Sequence, residues 1–410
     1  MGIEFKHERL ASGIDVIAEI DHDAASSAVG VFVRTGARDE PAEVMGVSHF
    51  LEHMMFKGPE DLAAEALNAA MDDLGASNNA YTTAEMTSFY AHTLPEALPA
   101  ATDLIVRMMS PALREDDFET ERGVILEEIA MYDDNPFWVL LEAATERHYR
   151  GHPLGHRVLG TTDTVGSMSP AQMRDYFRRR YTAEASTVAF AGDVDFEAMV
   201  QRIEASTASW ARGAPPPREA AAASGAGRFE MERDTVSRGY LLAVMPAPSL
   251  ADERRYAARL MSQVLGAPGN SRLHWTLVEP GIADEATAAY FGQDGEGLLV
   301  AYASGDPERL EEIERVVTAE LARAAAEATE DDLARLRSKA ATGVTIGGER
   351  PADRMQRIGA RWTVLGEYRT LQDELERVRG VSLADLRALS EAYPPTPATI
   401  GVLRPGRGAA

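Results

Sequence analysis

Segments from the first half of the chain return in the second half at a nearly constant distance. Arg114-Glu-Asp-Asp-Phe118 is followed by Arg122, and Thr329-Glu-Asp-Asp-Leu333 is followed by Arg337 at the same internal spacing. Ser169-Pro-Ala-Gln-Met-Arg174 is matched by Ser382-Leu-Ala-Asp-Leu-Arg387, and Tyr181 with the apolar run 187–192 is matched by Tyr393 with 399–403. The offsets all fall between 212 and 215 residues. An offset that holds over separated segments marks an internal duplication, so the chain must fold as two versions of one unit. Its 410 residues are too many for one ordinary core and suit two domains of about 200 residues each. Between the copies lies 213–227, GAPPPREAAAASGAG, whose proline triplet, alanine run and glycines have linker composition. The expected organisation is a first domain over 1–212, a linker over 213–227 and a homologous domain over 228–410.

Each copy mixes strand and helix signals. Residues 28–35 (AVGVFVRT) are β-branched and aromatic, as a strand requires. Residues 44–57 have helical length and apolar spacing. Residues 72–94 hold a Gly-Ala-Ser-Asn-Asn turn region and then short strands. Residues 116–132 form a helix entered through acidic residues and stopped by Asp134-Asn135-Pro136. A helix over 169–181 and a strand over 187–192 follow. The expected fold class is α+β: two homologous domains, each a largely antiparallel sheet with helices packed on one face.

Charge and cysteine content narrow the chemistry. The formal net charge of −24 repels nucleic acid and attracts basic peptides. There is no cysteine, which removes disulfides and thiolate metal sites and suits a reducing cytoplasm. Any metal must be held by imidazole and carboxylate. The N-terminal stretch is charged at Glu4, Lys6, Glu8 and Arg9, and no segment approaches the roughly 18 uncharged apolar residues of a membrane span. The expected setting is cytoplasmic, with no nucleic-acid or membrane partner.

The chemical signal is His49-Phe-Leu-Glu52-His53. Residues four apart share a helix face, so the two imidazoles can converge on one ion. Glu52 borders that face without having to ligate, which is where a general base for metal-activated water must stand. This is the H-x-x-E-H, or inverzincin, order. A purely structural reading would pack both histidines in a core, at about 1–3 kcal/mol for each unpaired polar group. Catalytic zinc usually takes three protein ligands, so a third is needed. The helix over 116–132 offers Glu119, Glu121, Glu127 and Glu128. Glu121 and Glu128 are two turns apart on one stripe, and Glu127 is rotated about 100° away. Glu128 is assigned to the metal, Glu121 to steadying a ligand, and Glu127 to the solvated surface.

The sequence resembles the pitrilysin/insulinase superfamily of zinc peptidases, in particular its two-domain bacterial branch and the β subunit of the mitochondrial processing peptidase. The residues that carry the resemblance run from Gly46 to Gly58, then Asn79-Ala80-Tyr81-Thr82, Glu121 to Glu128, His152-Pro-Leu-Gly155 and Leu159-Gly-Thr161. Val264-Leu-Gly266 and Ser271-Arg-Leu273 extend it into the second half. The resemblance implies zinc held by His49, His53 and Glu128, Glu52 as base, and Glu121 as supporting acid. It also implies that Asn79 and Ala80 lend main-chain groups to a peptide bound as an added strand, and that only the first domain binds metal. The duplication agrees with the last point: with an offset of 215, Glu121 and Glu128 fall on Leu336 and Gly343, and in the similarly laid-out strand–helix unit 240–266 places near those of His49 and His53 hold Ala257 and Met261.

One departure stands out. Active relatives carry an Arg and a Tyr that bind the peptide, and here Val278 and Asp284 stand near those places. The expected function is a zinc metallopeptidase acting on short or unfolded peptides. The alternative is a half-site or non-catalytic subunit that needs a partner carrying the Arg/Tyr pair. A homodimer and a heterodimer with a related chain both remain open. His92, His148, His152, His156 and His274 have no ligand-spaced neighbour and are read as structural or surface residues.

Overall fold

The computed structural model describes residues 2–219, 221, 225 and 227–406. The chain forms two compact units: unit 1 is Met1–Ile129, His156–Arg218 and Ile346–Arg369, and unit 2 is Ala130–Gly155, Glu219–Thr345 and Thr370–Ala410.

Unit 1 is built on six strands: β1 (Glu4–Arg9), β2 (Asp15–Ile20), β3 (Ser27–Val33), β4 (Ser77–Thr82), β5 (Thr87–Thr93) and β6 (Ser186–Gly192), in the order β1-β2-β6-β3-β5-β4. Unit 2 has β7 (Gly227–Arg233), β8 (Gly239–Ala247), β9 (Glu285–Gly292), β10 (Gly297–Gly305) and β11 (Thr399–Pro405), in the order β7-β11-β8-β10-β9. β2 pairs with β6, and β7 with β11, in parallel; the remaining ladders are antiparallel. Leaving out β1, the two orders are the same, so the duplication read from sequence offsets is present in the topology.

Seven helices position the site and the sheets: α1 (Val47–Met55), α2 (Glu115–Asp133), α3 (Pro136–Tyr149), α4 (Pro170–Arg180), α5 (Arg255–Gly266), α6 (Glu330–Gly347) and α7 (Pro351–Leu365). The expected helix over 44–57 is shorter than its apolar pattern, because Gly46 takes φ +94° and resets the chain direction just before α1. A Cβ there would also meet the Leu159 carbonyl oxygen at 2.6 Å. The expected turn over 75–79 is narrower too. Gly75, at φ +62°, makes it, and Ser77 onward is already strand.

Successive strand side chains point to opposite faces, and the central strands are apolar on both. On β3, Val29, Val31 and Val33 join a core with Phe50, Leu51 and Met54 of α1 and Phe118 and Ile125 of α2. Ala28 and Phe32 point the other way, against Met355 and Ile358 of α7. Unit 2 repeats this. Leu241, Ala243 and Met245 of β8 pack with Leu260, Met261 and Val264 of α5, while Leu242 and Val244 meet Leu140 and Ala144 of α3. The α+β layering is therefore present in both units, and one further helix covers the opposite face of each sheet.

That further helix comes from the other half of the chain each time. α7 lies between β10 and β11 of the second copy yet belongs to unit 1, and α3 lies between β5 and β6 of the first copy yet belongs to unit 2. The units thus differ from the contiguous blocks 1–212 and 228–410. Helical periodicity reports that a face is buried, not which sheet buries it. The first part of the 213–227 segment is also anchored in unit 1. The Thr182 hydroxyl donates to the Gly213 carbonyl at 2.6 Å, and Arg218 Nη2 donates to Asp39 Oδ2 at 2.8 Å. Positions 220, 222–224 and 226 of that segment lie outside the described residues.

α7 is seated by shape and by charge. Gly359 lies so close to β3 that a Cβ there would sit 2.1 Å from Phe32 Cε2. Arg354, 2% exposed, donates from Nε to Glu19 Oε2 at 2.9 Å and from Nη1 to Asp21 Oδ2 at 3.2 Å. Arg357 and the Tyr368 hydroxyl bond the other oxygen of Glu19. Removing one member of a buried ion cluster strands its partner's charge. Arg354→Met is therefore expected to lower the unfolding free energy by about 3 kcal/mol. Urea unfolding checks this, and an unchanged midpoint contradicts it.

Candidate metal centre

α1 is held from below and from its end. Phe50, Leu51, Met54 and Met55 are fully buried, leaving His49, Glu52 and His53 on the opposite side. The first amides of a helix lack intrahelical acceptors and carry partial positive charge. Here Glu40, 3% exposed, accepts from the amides of Gly46 and Ser48, both at 2.7 Å. Burial pushes the Glu40 carboxyl up to about 8 against the lowering effect of those two bonds. Beside it the Tyr176 hydroxyl is 2.9 Å from both Ser48 Oγ and Thr35 Oγ1, which ties α4 and the segment just after β3 to α1.

α2 brings the carboxylates. Its buried side carries Phe118, Ile125 and Ile129, and Phe118 stacks on Phe50 of α1 with ring centroids 4.5 Å apart. That contact sets the two helices side by side. Glu128 Oε2 lies 3.1 Å from His49 Nε2 and 3.7 Å from His53 Nε2. Donor atoms of His49, His53 and Glu128 all lie within 4.8 Å of one another. Two ligand atoms on a tetrahedral ion at about 2.1 Å are about 3.4 Å apart, so this donor set fits a zinc-type centre. Among the described residues this is the one group of three or more His, Asp or Glu side chains close enough to share an ion.

The remaining carboxylates take separate places. Glu121 Oε2 lies 2.9 Å from His53 Nδ1, and its Oε1 pairs with Lys57 Nζ at 2.6 Å. An Nδ1–H donated to Glu121 leaves His53 Nε2 as the lone-pair nitrogen facing Glu128. Glu52 sits outside the donor triangle. Its Oε2 is 3.7 Å from His49 Nδ1 and accepts the Thr82 hydroxyl at 2.5 Å. Glu127 is exposed, as the helical spacing required.

Charges reinforce this arrangement. Burial alone would lower the His49 pKa, but the hydrogen bonds and charges of Glu128 and Glu52 outweigh it and push it up to about 9. Burial raises Glu121, yet Lys57 and His53 hold it below its ordinary value. The His49 hydrogen bond lowers Glu128 in the same direction. Both acids are therefore anions at neutral pH, as a cation site needs.

Asn79 and Ala80 lie on β4, the edge strand of the unit 1 sheet, with Asn79 exposed and its Oδ1 accepting from the Ala80 amide at 2.8 Å. Asn79 is thus a strand residue. In unit 2, Ala257 and Met261 are buried on α5, and Leu336 and Gly343 lie on α6. Val278 packs against the unit 2 core, and Asp284 accepts from Arg238 through Nε at 2.7 Å and through Nη2. His92 and His148 make local contacts with Ser26 and Thr399, and His156 with the Ala37 carbonyl. Three contributors carried no role in the sequence reading. Lys57 and Thr82 stood inside quoted motifs with no chemical spacing of their own, and Glu40 lies outside those motifs altogether.

The model described as insulinase (peptidase family M16) matches residues 15–162, and the model described as the peptidase M16 inactive domain matches 167–340. The chain is 32% identical over 388 residues to an uncharacterised zinc protease of Mycobacterium tuberculosis, covering 93% of this chain and 89% of that one. It is 26% identical over 389 residues to an uncharacterised zinc protease of Bacillus subtilis, covering 92% and 93%. Its fold is similar to that of a protease from Helicobacter pylori, with TM-score 0.91 at 21% identity over 98% of this chain and 100% of that one. A peptidase M16 inactive domain from Pseudomonas fluorescens gives TM-score 0.90 at 17% identity over 100% of both chains. Fold and family models together define a two-domain peptidase architecture. The chain belongs to the insulinase family of peptidases, peptidase family M16.

Because His49 holds its proton up to about pH 9, an ion shared by the three donors must displace that proton. Metal affinity is expected to rise about tenfold per pH unit from about pH 6 to about pH 9 for this one proton. Chelator competition across that range measures it, and a flat profile contradicts it.

Proposed function

We propose that this chain is a zinc metallopeptidase that hydrolyses peptide bonds in short or unfolded peptides. The observation that carries the reading is the separation of roles around α1: three donors within 4.8 Å of one another, and a fourth acid, Glu52, beside them but outside the triangle. A structural zinc site normally uses four protein ligands and has no need of such a bystander. The family membership and the relatives named zinc proteases support zinc as the ion.

His49, His53 and Glu128 would hold the zinc, which supplies Lewis acidity toward the scissile carbonyl and toward water. Glu121, with Lys57 behind it, keeps His53 in the tautomer that presents Nε2. Glu52 Oε1 takes the proton of the attacking water and later delivers it to the leaving amine. Edge strand β4, which carries Asn79 and Ala80, would offer its outward main-chain groups to an extended peptide. Pairing of that kind is indifferent to side chains, which suits varied unfolded substrates. The net charge of −24 favours basic ones. Absence of cysteine supports a cytoplasmic setting. Among the described residues no helix is long and apolar enough to cross a membrane.

A second reading rests on unit 2. Where the resemblance calls for an Arg and a Tyr, Val278 has no donor and Asp284 is an acid engaged by Arg238. In that reading the chain is a half-site subunit, completed by a homologous partner that carries the pair.

The test is hydrolysis of a mixed quenched-fluorescent peptide library with and without chelator, alongside Glu52→Gln. The account expects chelator-sensitive turnover that falls by about 10²–10⁴ in Glu52→Gln with zinc content unchanged. Zinc bound without turnover in either protein, even after addition of a co-encoded homologue, would favour a non-catalytic subunit.

A further inference from the structure

We propose that Thr82 is a positioning residue for Glu52: its hydroxyl, presented by edge strand β4, fixes one carboxylate oxygen so that the other is aimed at the water. The inference rests on the reading of Glu52 as the base and adds a residue to it. The Thr82 hydroxyl donates to Glu52 Oε2 at 2.5 Å, within the short range of a hydroxyl bonded to an ionised carboxylate. The Glu52 side chain is 12% exposed, so little solvent reaches it, and His49 Nδ1 stands farther from the same oxygen, at 3.7 Å.

Three features make Thr82 a device for orientation. A glutamate has three rotatable torsions, and packing of α1 sets only the first part of that chain; a bond at Oε2 restricts the terminal part. Threonine is β-branched, so its own torsion is stiff and its hydroxyl points in a defined direction from the strand. Thr82 also closes β4, opposite Thr87 in the β5 register, on the strand that carries Asn79 and Ala80. The strand that would receive the peptide and the acid that would handle the proton are joined by one bond. The neighbouring Thr83 shows that the role is specific to position. Its hydroxyl donates instead to the Met86 carbonyl at 3.1 Å in the turn.

Thr82→Val keeps the shape and removes the donor, whereas Thr82→Ser keeps the donor and loosens the shape. In the zinc-loaded full chain, on one quenched peptide that the wild type cleaves, Thr82→Val is expected to lower kcat by roughly 10–100-fold. KM and zinc affinity by chelator competition should stay within about threefold. Thr82→Ser should recover most of the rate. Crystal structures of the three proteins should show the Glu52 carboxylate bonded to residue 82 in wild type and Thr82→Ser, and displaced in Thr82→Val. An unchanged kcat in Thr82→Val, equal losses in both variants, a parallel loss of zinc affinity, or an unmoved carboxylate would overturn the proposal. If none of the proteins cleaves peptide, the peptidase reading fails. The crystal comparison then decides on Thr82 alone: displacement supports the positioning bond and an unmoved carboxylate rejects it.

Discussion

The chemistry of unit 1 depends on α1 being unable to turn about its axis. Phe50, Leu51, Met54 and Met55 are buried without residue on one side, and Glu40 grips the amides at the helix start. A shift of one residue rotates the helix by about 100°. Such a rotation would expose four large apolar side chains, each contributing about 1.5–3 kcal/mol by burial. Thus the apolar residues, which carry no donor atoms, aim His49, Glu52 and His53. The stack of Phe50 on Phe118 extends the same control to α2, and through it to Glu121 and Glu128.

Duplication explains why one chain carries this arrangement once. Unit 2 has the same strand order and a counterpart of α1 in α5, but Ala257 and Met261 of that helix and Leu336 of α6 are buried apolar residues, and among the described residues no donor triad like that of unit 1 recurs. A fold held by sheet pairing and apolar layers does not require the polar residues that sit on it, so one copy can keep the architecture without the donors. The exchange of α3 and α7 binds the copies into one folding problem. Each sheet has two apolar faces, and each has its second face covered by a helix encoded in the other half.

Much of this was legible in the sequence, for identifiable reasons. Helical spacing is local, so His49, Glu52 and His53 could be placed on one face, and Glu128 separated from Glu127, before any tertiary contact was known. The repeat offsets likewise announced two copies of one fold. Long-range choices were not legible. α7 has an amphipathic pattern that serves either sheet equally well, and only the fit of Gly359 over Phe32 and the Arg354–Glu19 pairing select one. The same limit hid Thr82, because a threonine ending a strand has no spacing signal linking it to an acid 30 residues earlier. The Arg218 contact to Asp39 lay concealed in a segment whose composition says linker.

The central claim is that His49, His53 and Glu128 close around a single ion while Glu52 stays out of its coordination sphere. X-ray absorption at the zinc edge of the loaded protein tests it most directly. The account predicts two imidazole nitrogens at about 2.0–2.1 Å and a carboxylate oxygen at about 2.0–2.2 Å, with the two-imidazole signature lost in His49→Ala and an unaltered spectrum in Glu52→Gln. A spectrum that changes when Glu52 is replaced, or one that lacks the imidazole pair in the wild type, contradicts it.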